Sequence, residues 1–303
     1  MNVVLLSGLS RGYVNYRQRL EKSIRENVHI DYLKMLGAGN RILIADRRNR
    51  DVTPPSAAQL RQLGDESTGP GFDQLMWVMV PSDPAMDASY RVFNADGSEV
   101  EQCGNGVRCV AWMLAKDEAT QTDFRLESPA GIIEASVHSD DRVTVSMGPP
   151  EFEPGKIPFV ADSKSDGYFL TVGDAEYDVS VLSMGNPHCV LQVADVSTAD
   201  VARLGAIIEH HERFPARTNV GFMAIRGRRQ IDLRVHERGV GETQACGTGA
   251  CAAVVAGQRL GYLDDEVTVS LPGGQLVVSW RGGVEAVWLS GNTELTSKGT
   301  IEL

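Results

Sequence analysis

The stretch Glu99-Val100-Glu101-Gln102-Cys103-Gly104-Asn105-Gly106 decides how the chain is read. It returns 143 residues later as Glu242-Thr243-Gln244-Ala245-Cys246-Gly247-Thr248-Gly249. At that fixed offset Pro129 falls on Pro272, Gly131 on Gly274, Ser136 on Ser279 and Gly148 on Gly291. Agreement gathers at the cysteine motif and at turn formers. With slight drift, Gly39-Asn40 matches Gly185-Asn186 and Gln74 falls near Asn219, each next to an apolar run.

Two homologous halves follow, each of alternating strands and turns with one buried helix. Leu43–Ala45, Leu75–Val80, Val143–Ser146, His188–Val193, Ile231–Val235, Val267–Leu271 and Leu276–Trp280 are short β-rich runs bounded by Gly, Pro or Asp. Val107, Val110, Ala111 and Leu114 recur at helical spacing, and Ala250, Ala253, Val254 and Gly257 repeat it. Pro149-Pro150 through Pro154-Gly155 marks the crossover between halves. A duplication kept only for folding would preserve Gly, Pro and apolar positions. It gives no reason to keep a cysteine at the front of both helices.

Composition narrows the function. At roughly 100–200 residues per domain, the 303 residues suit two domains. A net charge of -11 argues against a nucleic-acid partner, whose phosphates need a basic patch. The five cysteines fit neither a disulfide scaffold nor a zinc spacing. No stretch is long enough to span a bilayer, and the apolar run near the N-terminus is too short for a signal segment. Arg11, Arg17, Arg19, Lys22 and Arg25 hint at a transit peptide, but Glu21 and Glu26 interrupt that face. The expectation is a cytoplasmic protein, without a membrane partner, carrying an extension over residues 1–28.

Cysteine is usually a small buried hydrophobe, and Cys109, Cys189 and Cys251 fit that role within apolar runs. Cys103 and Cys246 do not, since Gly and small polar residues flank them at helix starts. Free backbone N–H groups and the helix dipole concentrate there, a setting expected to draw a thiol toward thiolate. Gly-Asn-Gly and Gly-Thr-Gly leave the backbone open to an anion. Two symmetry-related bases suit inversion of a stereocentre, where one group removes a proton and another returns it on the opposite face. No phosphate-cradling glycine motif appears, nor a lysine placed for a pyridoxal Schiff base, so no cofactor is expected.

Arg91-Val-Phe-Asn-Ala-Asp-Gly-Ser-Glu-Val-Glu-Gln-Cys103-Gly-Asn-Gly-Val-Arg-Cys109 and Glu237-Arg-Gly-Val-Gly-Glu-Thr-Gln-Ala-Cys246-Gly-Thr-Gly-Ala-Cys251 resemble the two signature segments of the diaminopimelate epimerase family. Lys34–Asn40, Asp73-Gln74-Leu75, Met184–His188 and Thr218–Met223 resemble its remaining blocks in order. The resemblance covers about residue 31 to the C-terminus. It implies an α+β fold of two pseudo-symmetric domains, each a mixed β-barrel-like sheet around a central α-helix. Residues 29–148 with 292–303 would form the first domain and 149–291 the second. It further implies interconversion of LL- and meso-2,6-diaminopimelate, feeding lysine and peptidoglycan synthesis, without cofactor or metal; a homodimer is compatible with it. The family's catalytic cysteines fall on Cys103 and Cys246. Its substrate-binding residues fall on Asn40, Gln74, Asn94, Gly104, Asn105, Asn186, Asn219, Glu237, Arg238, Gly247 and Thr248, and its thiol-tuning positions on His188 and Glu237.

The repeat aligns Asn94 with Glu237 and Ala95 with Arg238, so the halves agree at the reacting carbon and differ beside it. A one-sided Arg238 suits a substrate with a second, distal carboxylate, which arginine can grip bidentately. A proline-type racemase would share the thiols but need no such arginine; a non-catalytic binding protein would need neither. By position alone, His188 reads as structural, and Asn40, Asn186 and Asn219 as turn formers. His210-His211-Glu212 has metal-ligand residue types but lies in a charged, helical-looking surface stretch. The first block departs from the family at Leu36, Arg41 and Ile42, placing a positive charge beside the expected cleft or at a solvent-facing turn.

Overall fold

The computed structural model describes residues 29–50, 52–100, 103–118 and 120–302; the extension expected over residues 1–28 lies outside them. The first half runs β1 (His29–Gly37), β2 (Asn40–Asp46), α1 (Ala57–Gly64), β3 (Gln74–Met79), β4 (Ala88–Asn94), β5 (Glu99–Val100), α2 (Gly104–Asp117), β6 (Asp123–Ser128), β7 (Gly131–Val137) and β8 (Arg142–Ser146). The second runs β9 (Tyr168–Val172), β10 (Ala175–Ser183), β11 (Pro187–Gln192), α3 (Val201–Glu209), β12 (Asn219–Gly227), β13 (Gln230–Glu237), β14 (Gly241–Thr243), α4 (Gly247–Arg259), β15 (Glu266–Leu271) and β16 (Gly274–Ser279), and β17 (Trp288–Glu302) closes the chain.

The halves share one topology. β2 pairs parallel with β3 across α1, and β11 parallel with β12 across α3. β4 pairs parallel with β6 across α2, and β13 parallel with β15 across α4. Hairpins supply the remaining neighbours, giving the mixed α+β architecture that the sequence predicts. β17 joins the halves: Trp288–Ser290 pairs with β16 of the second half, while Trp288–Asn292 pairs with β8 and Thr293–Glu302 with β1 of the first.

Strand alternation explains why the inner strands are apolar on both faces. On β2, Ile42 and Ile44 face α2 in the main core, while Leu43 and Ala45 meet Leu60 and Leu63 of α1. On β11 and β12, Val190 and Met223 join the main core while Cys189, Leu191, Val220 and Phe222 meet Leu204 and Ile208 of α3. Each half is therefore a sheet between one central and one outer helix. The outer helices were not apparent in the sequence. Burying each of their leucines contributes about 1.5–3 kcal/mol. A Ser56–Gln59 capping box starts α1, and Asp200 caps α3.

The central helices are buried on nearly every side, α2 from Gly104 through Ala111 and α4 over most of its length. Both begin on a cysteine in extended conformation, with φ of -142° at Cys103 and -121° at Cys246. Small residues let their N-termini meet. A Cβ on Gly247 would stand 4.0 Å from Gly104 Cα and 3.0 Å from Leu289 Cδ2; one on Gly104 would stand 3.1 Å from the same leucine carbon.

Candidate active site

Each helix start uses its cysteine sulfur as the cap. Cys103 Sγ accepts from Gly106 N at 3.2 Å and Cys246 Sγ from Gly249 N at 3.4 Å. The N–H groups before these, at the open end of each first turn, have no partner within their own helix ladder. Both sulfurs are free thiols and nearly enclosed, at 9% and 4% exposure.

Burial changes the expected electrostatics. It pushes the Cys103 thiol up to about 11, against the opposing pull of the Gly106 amide and the Arg108 charge. Cys246 is likewise raised well above its ordinary value, first by burial and then by Glu237. The helix amides act in the direction the sequence predicts, but desolvation outweighs them. Glu237 is itself raised by burial, although Thr243 Oγ1 donates to its Oε1 at 2.5 Å and Cys246 lies in hydrogen-bonding reach.

The two thiols have different polar neighbours. Cys103 Sγ lies 2.6 Å from Gln74 Oε1, while Gln74 Nε2 donates to Asn94 Oδ1 at 3.2 Å. Asn94 Nδ2 continues the chain to Ser98 Oγ at 3.0 Å. Cys246 Sγ instead lies 3.5 Å from Thr248 Oγ1, which accepts from Asn186 Nδ2 at 3.4 Å. Asn186 Oδ1 meets His188 Nε2 at 3.0 Å. Burial, and next the charge of Arg238, lowers His188 to about 3, so its ring is neutral and holds Asn186 by hydrogen bonding alone.

Gln74, Asn94, Asn186, His188, Glu237 and Thr248 are thus connected to one thiol or the other. Asn219, matched with Gln74 by the repeat, turns away from Cys246. Its Nδ2 donates to Pro187 O at 2.9 Å and its Oδ1 accepts from Arg238 N at 3.0 Å. Arg238 is exposed, with Nη1 on Ala216 O at 3.2 Å. Asn105 is buried and its side chain points back into the helix junction, where Oδ1 accepts from Arg108 Nη2 at 3.0 Å. Asn40 closes the β1–β2 turn as the strand partner of Gly37. That turn abuts the second half: a Cβ on Gly39, at φ +87°, would stand 2.8 Å from Gly273 Cα.

Several features escape a sequence reading. Arg108 is fully buried in α2, with no partner for Nε or Nη1 among the described residues. Gly291 makes room for it, since a Cβ there would lie 3.2 Å from Arg108 Cζ. The one available signal was a charge inside an otherwise apolar helix. Arg41 does not put free charge beside the cleft. Its Nη2 meets Asp73 Oδ1 at 2.6 Å and its Nη1 meets Glu66 Oε1 at 2.5 Å. Ile42 fills the core. His210 and His211 follow α3 rather than lying within a helix, and their rings meet the carbonyls of Ala206 and Thr171.

The sequence model described as "Diaminopimelate epimerase" matches residues 32–153 and 180–294. The diaminopimelate epimerase of Pseudomonas entomophila (strain L48) is 48% identical over 275 residues, covering 90% of this chain and 99% of that protein. That of Thioalkalivibrio sulfidiphilus (strain HL-EbGR7) is 49% identical over 279 residues, covering 91% and 100%. Among solved structures, a hydroxyproline epimerase from Agrobacterium vitis superposes with a TM-score of 0.66 at 16% identity, covering 91% of each chain. A Bacillus anthracis phenazine biosynthesis protein of the PhzF family gives 0.63 at 14%, covering 90% of this chain and 99% of that one. These distant likenesses share the fold; the matches along the sequence are the closer kinship, and by them the chain belongs to the diaminopimelate epimerase family.

Proposed function

We propose that this protein interconverts LL- and meso-2,6-diaminopimelate, using Cys103 and Cys246 as its two bases and no cofactor. The observation that carries the reading is one cysteine capping each of two buried helices whose N-termini abut. One thiolate removes the α-proton, and the C–H electron pair remains on the carbon as a planar carbanion delocalised into the α-carboxylate. The opposite thiol then gives its proton to the other face and becomes the thiolate. The reaction thereby inverts the centre and exchanges the protonation states of the two sulfurs.

The N–H groups of Gly104, Asn105, Gly247 and Thr248 receive the α-carboxylate, whose charge grows as the carbanion forms. Asn40, Gln74, Asn94, Asn186 and Asn219 orient the substrate, and Arg238 takes its distal carboxylate. His188 fixes Asn186 without adding charge. Glu237 raises Cys246, keeping that sulfur protonated in the resting protein and so poised as the acid. The product feeds lysine synthesis, and the cytoplasm, where thiols stay reduced, is the compartment this chemistry suits. A homodimer is compatible with it.

Incubating the purified protein with LL-diaminopimelate and, separately, with L-alanine, L-proline and trans-4-hydroxy-L-proline tests the reading by chiral chromatography. Equilibration of the diaminopimelate isomers alone is expected. Inversion of a single-ended amino acid, with diaminopimelate untouched, would make the chain a racemase of another substrate.

A further inference from the structure

Glu209 ends α3 and is 3% exposed, a rare place for a carboxylate unless it is paired. Its Oε2 lies 3.0 Å from His236 Nε2, and its Oε1 accepts from Gly239 N at 2.9 Å. Arg217 Nη1 adds a longer contact of 3.4 Å. His236 and Gly239 flank Glu237-Arg238 in the chain, so one carboxylate grips the strand end on both sides of that pair. The helix approaches this closely because residue 205 is glycine: a Cβ there would stand 2.6 Å from His236 Cβ. Burial opposes ionisation of Glu209, but the Gly239 amide and His236 outweigh it and hold the carboxyl below its ordinary value.

The first half has a different arrangement at the matching place. There α1 ends on Gly64, which packs against Ala95, the counterpart of Arg238; a Cβ on Gly64 would lie 2.7 Å from Ala95 Cβ. A buried carboxylate thus accompanies the half that carries the one-sided arginine, and a bare glycine the half that does not. We propose that Glu209 is a positioning residue, whose bridge between His236 and the Gly239 amide fixes the backbone bearing Glu237 and Arg238 and so governs recognition of the substrate's distal carboxylate. The recognition half of this inference rests on the functional reading above; the positioning half does not.

Glu209→Gln and Glu209→Ala in the full chain test it by amide hydrogen exchange and by steady-state kinetics on LL-diaminopimelate. Gln keeps an acceptor for Gly239 but loses the charge facing His236 and Arg217. In the Ala variant, exchange across residues 236–241 is expected to quicken at least about tenfold, with α4 unchanged. KM is expected to rise at least about tenfold, by more than kcat falls, with the Gln variant intermediate. Faster exchange throughout the chain would reduce Glu209 to a general stabiliser and overturn the proposal, as would unchanged exchange and KM in a folded variant. If the wild-type protein does not epimerise diaminopimelate, the functional reading fails and recognition with it, while the exchange result still decides positioning.

Discussion

Cys103 Sγ lies 2.6 Å from Gln74 Oε1, whereas Asn219, at the matching strand start in the other half, holds the Arg238 backbone instead of Cys246. Near-symmetric halves therefore present unlike thiols. An amide oxygen only accepts, so the contact requires the proton to be on Cys103 sulfur in this state. Gln74→Ala removes a side chain that orients the substrate beside Cys103, a loss of about 1–2 kcal/mol in the transition state. The expected result is kcat lower by about tenfold or somewhat more. Tm should stay within a few degrees, since no core contact is lost. Steady-state kinetics alongside thermal denaturation checks both.

Arg108 places a buried positive charge behind the helix junction, with two nitrogens lacking partners among the described residues. Such a charge costs folding stability, and its place behind the thiols gives it a use there. Arg108→Met keeps most of the bulk and removes the charge. We expect Tm unchanged or higher, while kcat/KM at neutral pH falls as the Cys103 thiol, no longer drawn down by that charge, rises further. A drop in Tm with activity preserved would make Arg108 purely structural.

The pH dependence follows from burial. With Cys103 near 11 in the free protein, its thiolate fraction grows about tenfold per pH unit through the neutral range. Cys246, raised well above its ordinary value by burial, keeps its proton over the same range. Because kcat/KM reports the free enzyme, it should climb from about pH 7 to about pH 9 without a plateau. Stability runs the same way on the acid side. His188 is held to about 3 when folded, and an unfolded histidine takes its proton near 6.5. The unfolded state therefore binds more protons between those values, and Tm should fall as pH drops below about 6.5.

With the cleft empty, two thiols that flank one carbon are expected to approach and join under oxidation. Oxidation by diamide would take one hydrogen from each sulfur, form the S–S bond and pass the electrons to the reagent. Activity should fall as two thiols per chain disappear and return when reductant is added. Full activity after confirmed loss of both would contradict a shared cleft.

The paired helices, their capping cysteines and most inner strands were readable from the sequence, because glycine, proline and cysteine recur at one offset and apolar residues keep their period. The alignment of Asn94 with Glu237 was also readable, and each residue ends its strand, β4 or β13. The outer helices were not, since α1 and α3 turn only a few residues inward. The environments of single side chains were hidden as well. Nothing local to Asn105 says that its side chain turns toward Arg108, and nothing local to Glu209 says that it meets Gly239, which is brought there by β13. The direction of the helix-end effect on the thiols follows from sequence, but its defeat by burial depends on what the second half places over the first.

The central claim is that two different sulfurs serve the two faces of one carbon. Turnover of LL-diaminopimelate in deuterated water, sampled before about one-tenth conversion and analysed by mass spectrometry, tests it most directly. The meso product should carry one deuterium from the first time point, delivered by a thiol that has exchanged with solvent, while recovered LL substrate remains unlabelled. Deuterium appearing equally in product and recovered substrate at those times would mean one base serving both faces, and would contradict the two-thiol account.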